Sequence, residues 1–289
     1  MIRPPVRDEA RVLRAGDLAE ALAVCAVDPV ASVLAAARLE VARRSGLTAA
    51  GGEVWGYPAA GALTAICWAG ANLVPVVPDG SRAALDAFAR RALRHGRRSS
   101  SIVGERAAAL GLWERLAHAW PAAREVRDEQ PSLAIDGPPA VAPDPRVRRA
   151  VLRDMPVLLP ACVRMFTEEV GYSPMVASGG AYEQRVRSLV RDERSFVRPL
   201  HDGPSAGIGF KAEVGALTSQ VAQIQGVWVE PRVRGQGLSV PGMAAVVHHV
   251  RAALAPVVSL YVNAWNEPAL RAYHRVGFER VGTYATILF

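Results

Sequence analysis

The run Ala222-Gln-Ile-Gln-Gly-Val-Trp-Val229 constrains this chain more than any other, because a proline, a paired-glycine turn and a helix come directly after it. Pro231 stops the run, Arg232-Val-Arg-Gly-Gln-Gly237 comes next, and apolar residues then recur at helical spacing from Leu238 to Leu254. β-Branched and aromatic residues mark the run as a strand, so the order is strand, glycine-containing turn, helix. Gly235 and Gly237 allow the backbone to approach a ligand closely. The first amides of a helix lack intrahelical acceptors and point at whatever lies over the turn. With Arg232 and Arg234 beside them, these groups form an anion site suited to a pyrophosphate. The dinucleotide fingerprint is excluded, because Val240 stands where its third glycine belongs. A P-loop is excluded too, since no Gly-Lys-Ser/Thr comes after the glycines. A plain strand-to-helix connection would use the same glycines, so the next block decides.

That block begins with a strand, Val257–Asn263, and a short helix, Asn266–Arg275, with Pro268 in its first turn. Gly277 closes the helix, and Phe278 starts a final strand ending at Phe289. The two blocks resemble the GCN5-related N-acetyltransferase (GNAT) superfamily. Its pyrophosphate turn, Gln/Arg-x-x-Gly-x-Gly/Ala, is met by Arg232, Gly235 and Gly237. Its next motif is matched at Asn266, Ala269, Tyr273, Gly277 and Phe278. The resemblance implies acetyl-CoA as co-substrate and no metal. It implies that the backbone of Val227, Trp228 and Val229 pairs with the pantetheine arm. The amides of Gly235, Gln236, Gly237, Leu238 and Ser239 would hold the pyrophosphate. Asn266 would approach the pantetheine, and Tyr273 would protonate the departing thiolate. Taken by themselves, Tyr273 can equally be a core residue and Asn266 a helix N-cap.

The implied reaction is direct attack of a primary amine on the thioester, with the oxyanion held by a backbone amide. Amines are mostly protonated at neutral pH, so a base is usually required. Many members of the superfamily place a glutamate on the cofactor strand, where this chain has Gln223 and Gln225. The remaining candidates are Glu168 and Glu169, at the end of a helix, and Glu213 on the neighbouring strand; each can instead be a solvated carboxylate. Lys211 reads as an exposed strand lysine, with a substrate-side cation as the other possibility. His248 and His249 read as structural. A non-catalytic acyl-CoA-binding regulatory module is the second functional class.

The expected fold class is α/β, a tandem GNAT-type fold with mixed twisted sheets flanked by helices. Residues 146–289 are expected to form the catalytic domain. In it Val147–Leu152 is a strand, Met155–Val170 and Ala181–Arg191 are helices, and Ser195–Pro199 and Ile208–Val214 are strands. Residues 131–145, dense in proline, read as a linker. Residues 1–130 repeat the same order of elements and read as a degenerate first copy. Its strands are Arg11–Arg14, Glu53–Tyr57, Leu63–Trp68, Asn72–Val77 and Ser99–Val103. Its helices start at Asp17, at Asp28, at Ser81 (to Leu93) and at Glu105 (to Trp120). Its turn Pro78-Asp-Gly-Ser-Arg82 lacks paired glycines and places Asp79 where a pyrophosphate would sit, so it is expected not to bind the cofactor. The pairing resembles an uncharacterised family of high-GC bacterial proteins, and mycothiol synthase in architecture alone.

The formal net charge of +7 does not imply nucleic acid. Lys211 is the only lysine, and the arginines are dispersed without a basic tail. Cys25, Cys67 and Cys162 lack metal-ligand spacing. No apolar run is long enough to span a membrane, and Met1-Ile-Arg-Pro-Pro5 lacks a signal-peptide pattern, so a cytoplasmic protein is expected. The acceptor, a small-molecule or peptide amine, and the oligomeric state stay open.

Overall fold

The structure, a computed structural model, describes residues 9–177, 180–201 and 207–289; the Met1–Pro5 stretch lies outside them. In chain order the strands are β1 (Arg11–Val12), β2 (Glu53–Tyr57), β3 (Ala65–Ala69), β4 (Asn72–Val76), β5 (Ser101–Glu105), β6 (Glu125–Ile135), β7 (Arg148–Arg149), β8 (Ser195–Pro199), β9 (Ile208–Leu217), β10 (Val221–Val229), β11 (Val257–Tyr261) and β12 (Glu279–Leu288). The helices are α1 (Leu18–Cys25), α2 (Val33–Ser45), α3 (Leu47–Ala50), α4 (Arg82–His95), α5 (Arg106–Leu116), α6 (Met155–Val170), α7 (Pro174–Ala177), α8 (Ala181–Arg191), α9 (Ser239–Ala253) and α10 (Glu267–Val276).

The chain divides into two compact units. The first comprises Met1–Leu133, Tyr261–Trp265 and Arg280–Phe289, and the second Ala134–Leu260 and Asn266–Glu279. In the first unit the strand order is β1-β2-β3-β4-β5-β12-β6. Side chains alternate across this sheet, as a pleated strand requires. Leu39, Ile66, Val103 and Tyr284 pack with α1 and α2 on one face, and Phe88, Ile102, Leu112 and Ile287 with α4 and α5 on the other.

The final strand departs from the sequence-based expectation. The sequence assigns it to the second half, but β12 pairs antiparallel with β5, from Tyr284 opposite Glu105 to Leu288 opposite Ser101. Its side chains explain the placement. Tyr284 stacks on Tyr261 at 4.8 Å and donates its hydroxyl to the carbonyls of Val30 and Ala31. Phe289 meets Trp113 and Trp120 edge-on, each at 5.5 Å. The expected linker is corrected as well: β6 occupies residues 125–135, where the sequence suggests no strand. The strand expected over Val147–Leu152 is only Arg148–Arg149, because Asp154 draws the chain into a turn. Its carboxylate takes both Nη groups of Arg148, at 2.7 and 2.8 Å, and the Val151 amide at 2.8 Å.

The second unit has the strand order β11-β10-β9-β8-β7. Leu158, Cys162, Val186, Val197 and Trp228 form a core with α6 and α8. Phe196, one residue before Val197, points the other way and stacks on His249 of α9 at 5.9 Å. Among the described residues no helix is long and apolar enough to cross a membrane, and no group of three His, Cys, Asp or Glu side chains comes together.

Candidate functional site

β10 is paired on one edge along its length and on the other edge only at its start. It runs parallel to β11 from Val221 opposite Val257 to Gln223 opposite Ser259, and there the pairing ends. Residues 224–229 therefore present backbone groups on that edge with no partner strand among the described residues, and these include Val227, Trp228 and Val229, the residues expected to receive an extended ligand. Ser259, at the last rung, is fully buried and its hydroxyl has no hydrogen-bond partner among the described residues.

A bulge lies next to this edge. The β9–β10 register shifts between Gln225, opposite Glu213, and Trp228, opposite Lys211. Gly226 sits inside the shift with φ +59°, a conformation that favours glycine. A Cβ there would lie 3.0 Å from both the Lys211 Nζ and the Glu213 carboxyl carbon. Lys211 is fully buried and donates from Nζ to the Gly226 carbonyl at 2.7 Å. Its second partner is Glu213, at 3.4 Å, which Arg185 also reaches at 3.3 Å. The expectation of an exposed Lys211 is thus overturned, because a strand lysine under α6 finds a carbonyl and a carboxylate within reach. Two opposite charges two residues apart on one strand face were the available signal for this cluster. Trp228 turns its side chain into the core beneath Arg164, whose guanidinium lies 5.6 Å from the ring centre. Gln225 donates to the buried Gln223 at 3.3 Å, so neither glutamine offers a base.

The turn after β10 is shaped for an anion. Gly235 and Gly237 adopt φ +78° and +79°. The amides of Gly235, Gly237, Leu238, Ser239 and Val240 have no hydrogen-bond acceptor among the described residues. They gather at the N-terminus of α9, the positive end of its dipole. Arg232 lies in the preceding single turn. Arg234 donates to the Val229 carbonyl at 3.0 Å and to Glu168 at 2.6 Å. Gln236 differs from its neighbours in that its amide points back to the Val233 carbonyl at 3.4 Å.

The matching turn of the first unit closes on itself. There the Asp79 carboxylate takes the Ser81 amide at 3.0 Å, the Ser81 hydroxyl takes the Ala84 amide at 3.3 Å, and the Gly80 amide bonds to the Val77 carbonyl at 3.0 Å. The Gly80, Ser81 and Ala84 amides are thereby occupied from within the turn.

Asn266 caps α10, its side chain accepting the Ala269 amide at 3.3 Å. Tyr273 is buried on α10 and packs against Phe278 at 5.9 Å. Burial pushes its phenol up from the usual value, and the Glu169 carboxylate adds to the rise. Glu169 is therefore the glutamate whose charge reaches Tyr273. Glu168 is half-exposed and held by Arg234, and Glu213 is held between two cations.

Residues 164–278 match the family model described as Acetyltransferase (GNAT) family, and residues 52–158 match a domain of unknown function, DUF4081. A mycothiol acetyltransferase of Brachybacterium faecium is 35% identical over 101 residues, which is 35% of this chain and 30% of that protein's length. Among solved structures, a Drosophila protein aligns over 97% of this chain and 98% of its own, with TM-score 0.67 and 12% identity. A GCN5-related N-acetyltransferase from Sphaerobacter thermophilus aligns over 96% and 93%, with TM-score 0.58 and 19% identity. A tandem GNAT protein from the clavulanic acid biosynthesis pathway covers 97% and 98%, with TM-score 0.53 and 13% identity. At these identities the structures testify to the fold.

Proposed function

We propose that this chain, whose residues 164–278 match the GNAT acetyltransferase family, transfers an acetyl group from acetyl-CoA to a primary amine and that the second unit alone binds the cofactor. The observation that carries this reading is the pairing of five unoccupied amides at residues 235 and 237–240 with the unpartnered edge of β10. A pyrophosphate meets the amides, and an extended pantetheine meets the strand. The self-capped turn around Asp79 supports a single cofactor site per chain.

Tyr273 gives a proton to the departing thiolate, and Asn266 orders the start of the helix that carries it. Of the three carboxylates, Glu169 is the one whose charge acts on Tyr273, and it is the base favoured here, acting through water. With glutamines on the cofactor strand, the favoured acceptor is an amine of low pKa. An α-amine lies near 7.7–8.0, whereas a lysine side chain lies near 10.4.

Thiol release from acetyl-CoA tests the reading with two peptides, one offering only its N-terminal amine and one only a lysine. Faster release with the first peptide is expected, together with one coenzyme A site per chain by calorimetry. Two equal sites would remove the single-unit assignment, and preference for the lysine peptide would remove the acceptor assignment.

A further inference from the structure

We propose that the first unit carries a second ligand site, separate from acetyl transfer, for a small planar uncharged heteroaromatic molecule bearing N–H donors. A cavity of about 350 Å³ opens there among Trp55, Trp120, Leu73, Ala92, Glu53 and His95. It lies where β4 and β5 begin and α4 ends. The turn that corresponds to the second unit's anion cradle comes after the other end of β4, at residues 77–82. The cavity is therefore no remnant of a cofactor site. Its volume is at the lower end of the range for small-molecule sites, roughly 300–1,000 Å³, and suits one or two fused rings.

The walls and the polar groups define the guest. Trp55 and Trp120 are buried and supply flat apolar faces. Trp55 is fixed, because its Nε1 donates to Glu53 Oε1 at 2.8 Å. Glu53 Oε2 accepts no hydrogen bond among the described residues. The His95 Nδ1 lies 2.9 Å from the Arg91 carbonyl, and only a protonated Nδ1 can bond to a carbonyl. In the neutral ring, Nε2 is then a bare acceptor. The polar rim thus offers two acceptors, and the guest must bring donors.

Charge narrows the class further. Glu53 repels a carboxylate or phosphate. An alkylammonium ion is opposed by Arg98, which also lines the cavity, and by Arg91, whose guanidinium sits 5.8 Å from the centre of the Trp55 ring. A neutral planar ring with N–H groups satisfies both conditions. The Trp120 indole N–H, buried without an acceptor among the described residues, is a further polar group that a ring nitrogen could relieve after a small shift of the side chain.

The test uses the full chain and 2-aminopyridine at pH 8, followed in ¹⁵N–¹H spectra through the indole signals of its six tryptophans, each assigned by a Trp→Phe variant. Saturable binding that moves the Trp55 and Trp120 signals is expected. The Glu53→Gln variant should weaken it about tenfold or more, the range of a hydrogen bond to a charged acceptor. Ala71→Trp, at the exposed lip, should block it even if Glu53→Gln fails to fold. Equal affinity for 2-methylpyridine, which lacks the N–H group, would overturn the donor requirement. Tighter binding of cyclohexylamine would overturn the exclusion of cations. Absence of binding, or shifts confined to other tryptophans, would overturn the site.

Discussion

Replacing Lys211 with methionine removes the buried cation beneath the bulge of β10. In the native chain its ammonium donates to the Gly226 carbonyl at 2.7 Å and lies 3.4 Å from Glu213. Methionine keeps the length of the side chain, so the cavity term is small, and the cost falls on the two partners left behind. Removing one member of a buried ion pair costs about 3–5 kcal/mol. Arg185 still reaches Glu213 at 3.3 Å, which brings the expected loss to the lower end, about 3 kcal/mol. The stranded Gly226 carbonyl lies within that figure; alone, an unsatisfied buried acceptor costs about 1–3 kcal/mol. The double variant Lys211→Met with Glu213→Leu removes both charges and should recover all but about 1–2 kcal/mol, the share of the carbonyl. Urea unfolding at pH 7 measures both, and coenzyme A titration of the folded variants shows whether the bulge also shapes the cofactor edge. A loss below 1 kcal/mol in the single variant, or a double variant as unstable as the single, would refute the argument that a charge pair locks the bulge.

Three further outcomes are expected. Gly237→Val should weaken coenzyme A binding by more than about 100-fold and cost about 1–3 kcal/mol of stability: at φ +79° a Cβ meets no protein atom within 4 Å, but a β-branched residue is strained in that backbone conformation. Unchanged affinity in calorimetry would count against the amide cradle. Tyr273→Phe should lower turnover on the order of 10²-fold. Because burial raises its pKa, the phenol keeps its proton through pH 9, so the loss should be the same at pH 6.5 and pH 9; a loss that fades as the pH rises would reject the proton-donor role. Asp154→Asn should cost about 1–3 kcal/mol at pH 7, as a charge-assisted bidentate pair is broken. Arg148 holds the Asp154 carboxyl below the usual aspartate range, so this stabilisation is full above about pH 4 and disappears as the pH falls through the lowered pKa. Thermal melts that differ as much at pH 2 as at pH 7 would contradict it.

What the sequence determined by itself was local. The strand before Pro231, the glycines at 235 and 237 and the helix starting near Leu238 are each set by residues within a few positions. So are the Asn266 cap and the Gly277 stop. Helices Met155–Val170 and Ala181–Arg191 could be read to the residue for the same reason. Tertiary structure decided what depends on partners distant in the chain. Glu279–Leu288 reads as a strand anywhere, but its second half pairs with Ser101–Glu105 and its tyrosine bonds to Val30 and Ala31. A strand's pattern shows which face is apolar and says nothing of which edge will accept it. Lys211 looks like any surface lysine until Gly226 and Glu213 are folded around it, since burial of a charge is allowed only where opposite charge and a carbonyl converge. The cavity between Trp55 and Trp120 is bounded by residues from 52 to 120. Such a space exists only after the strands and helices have packed, and no spacing in the sequence encodes it.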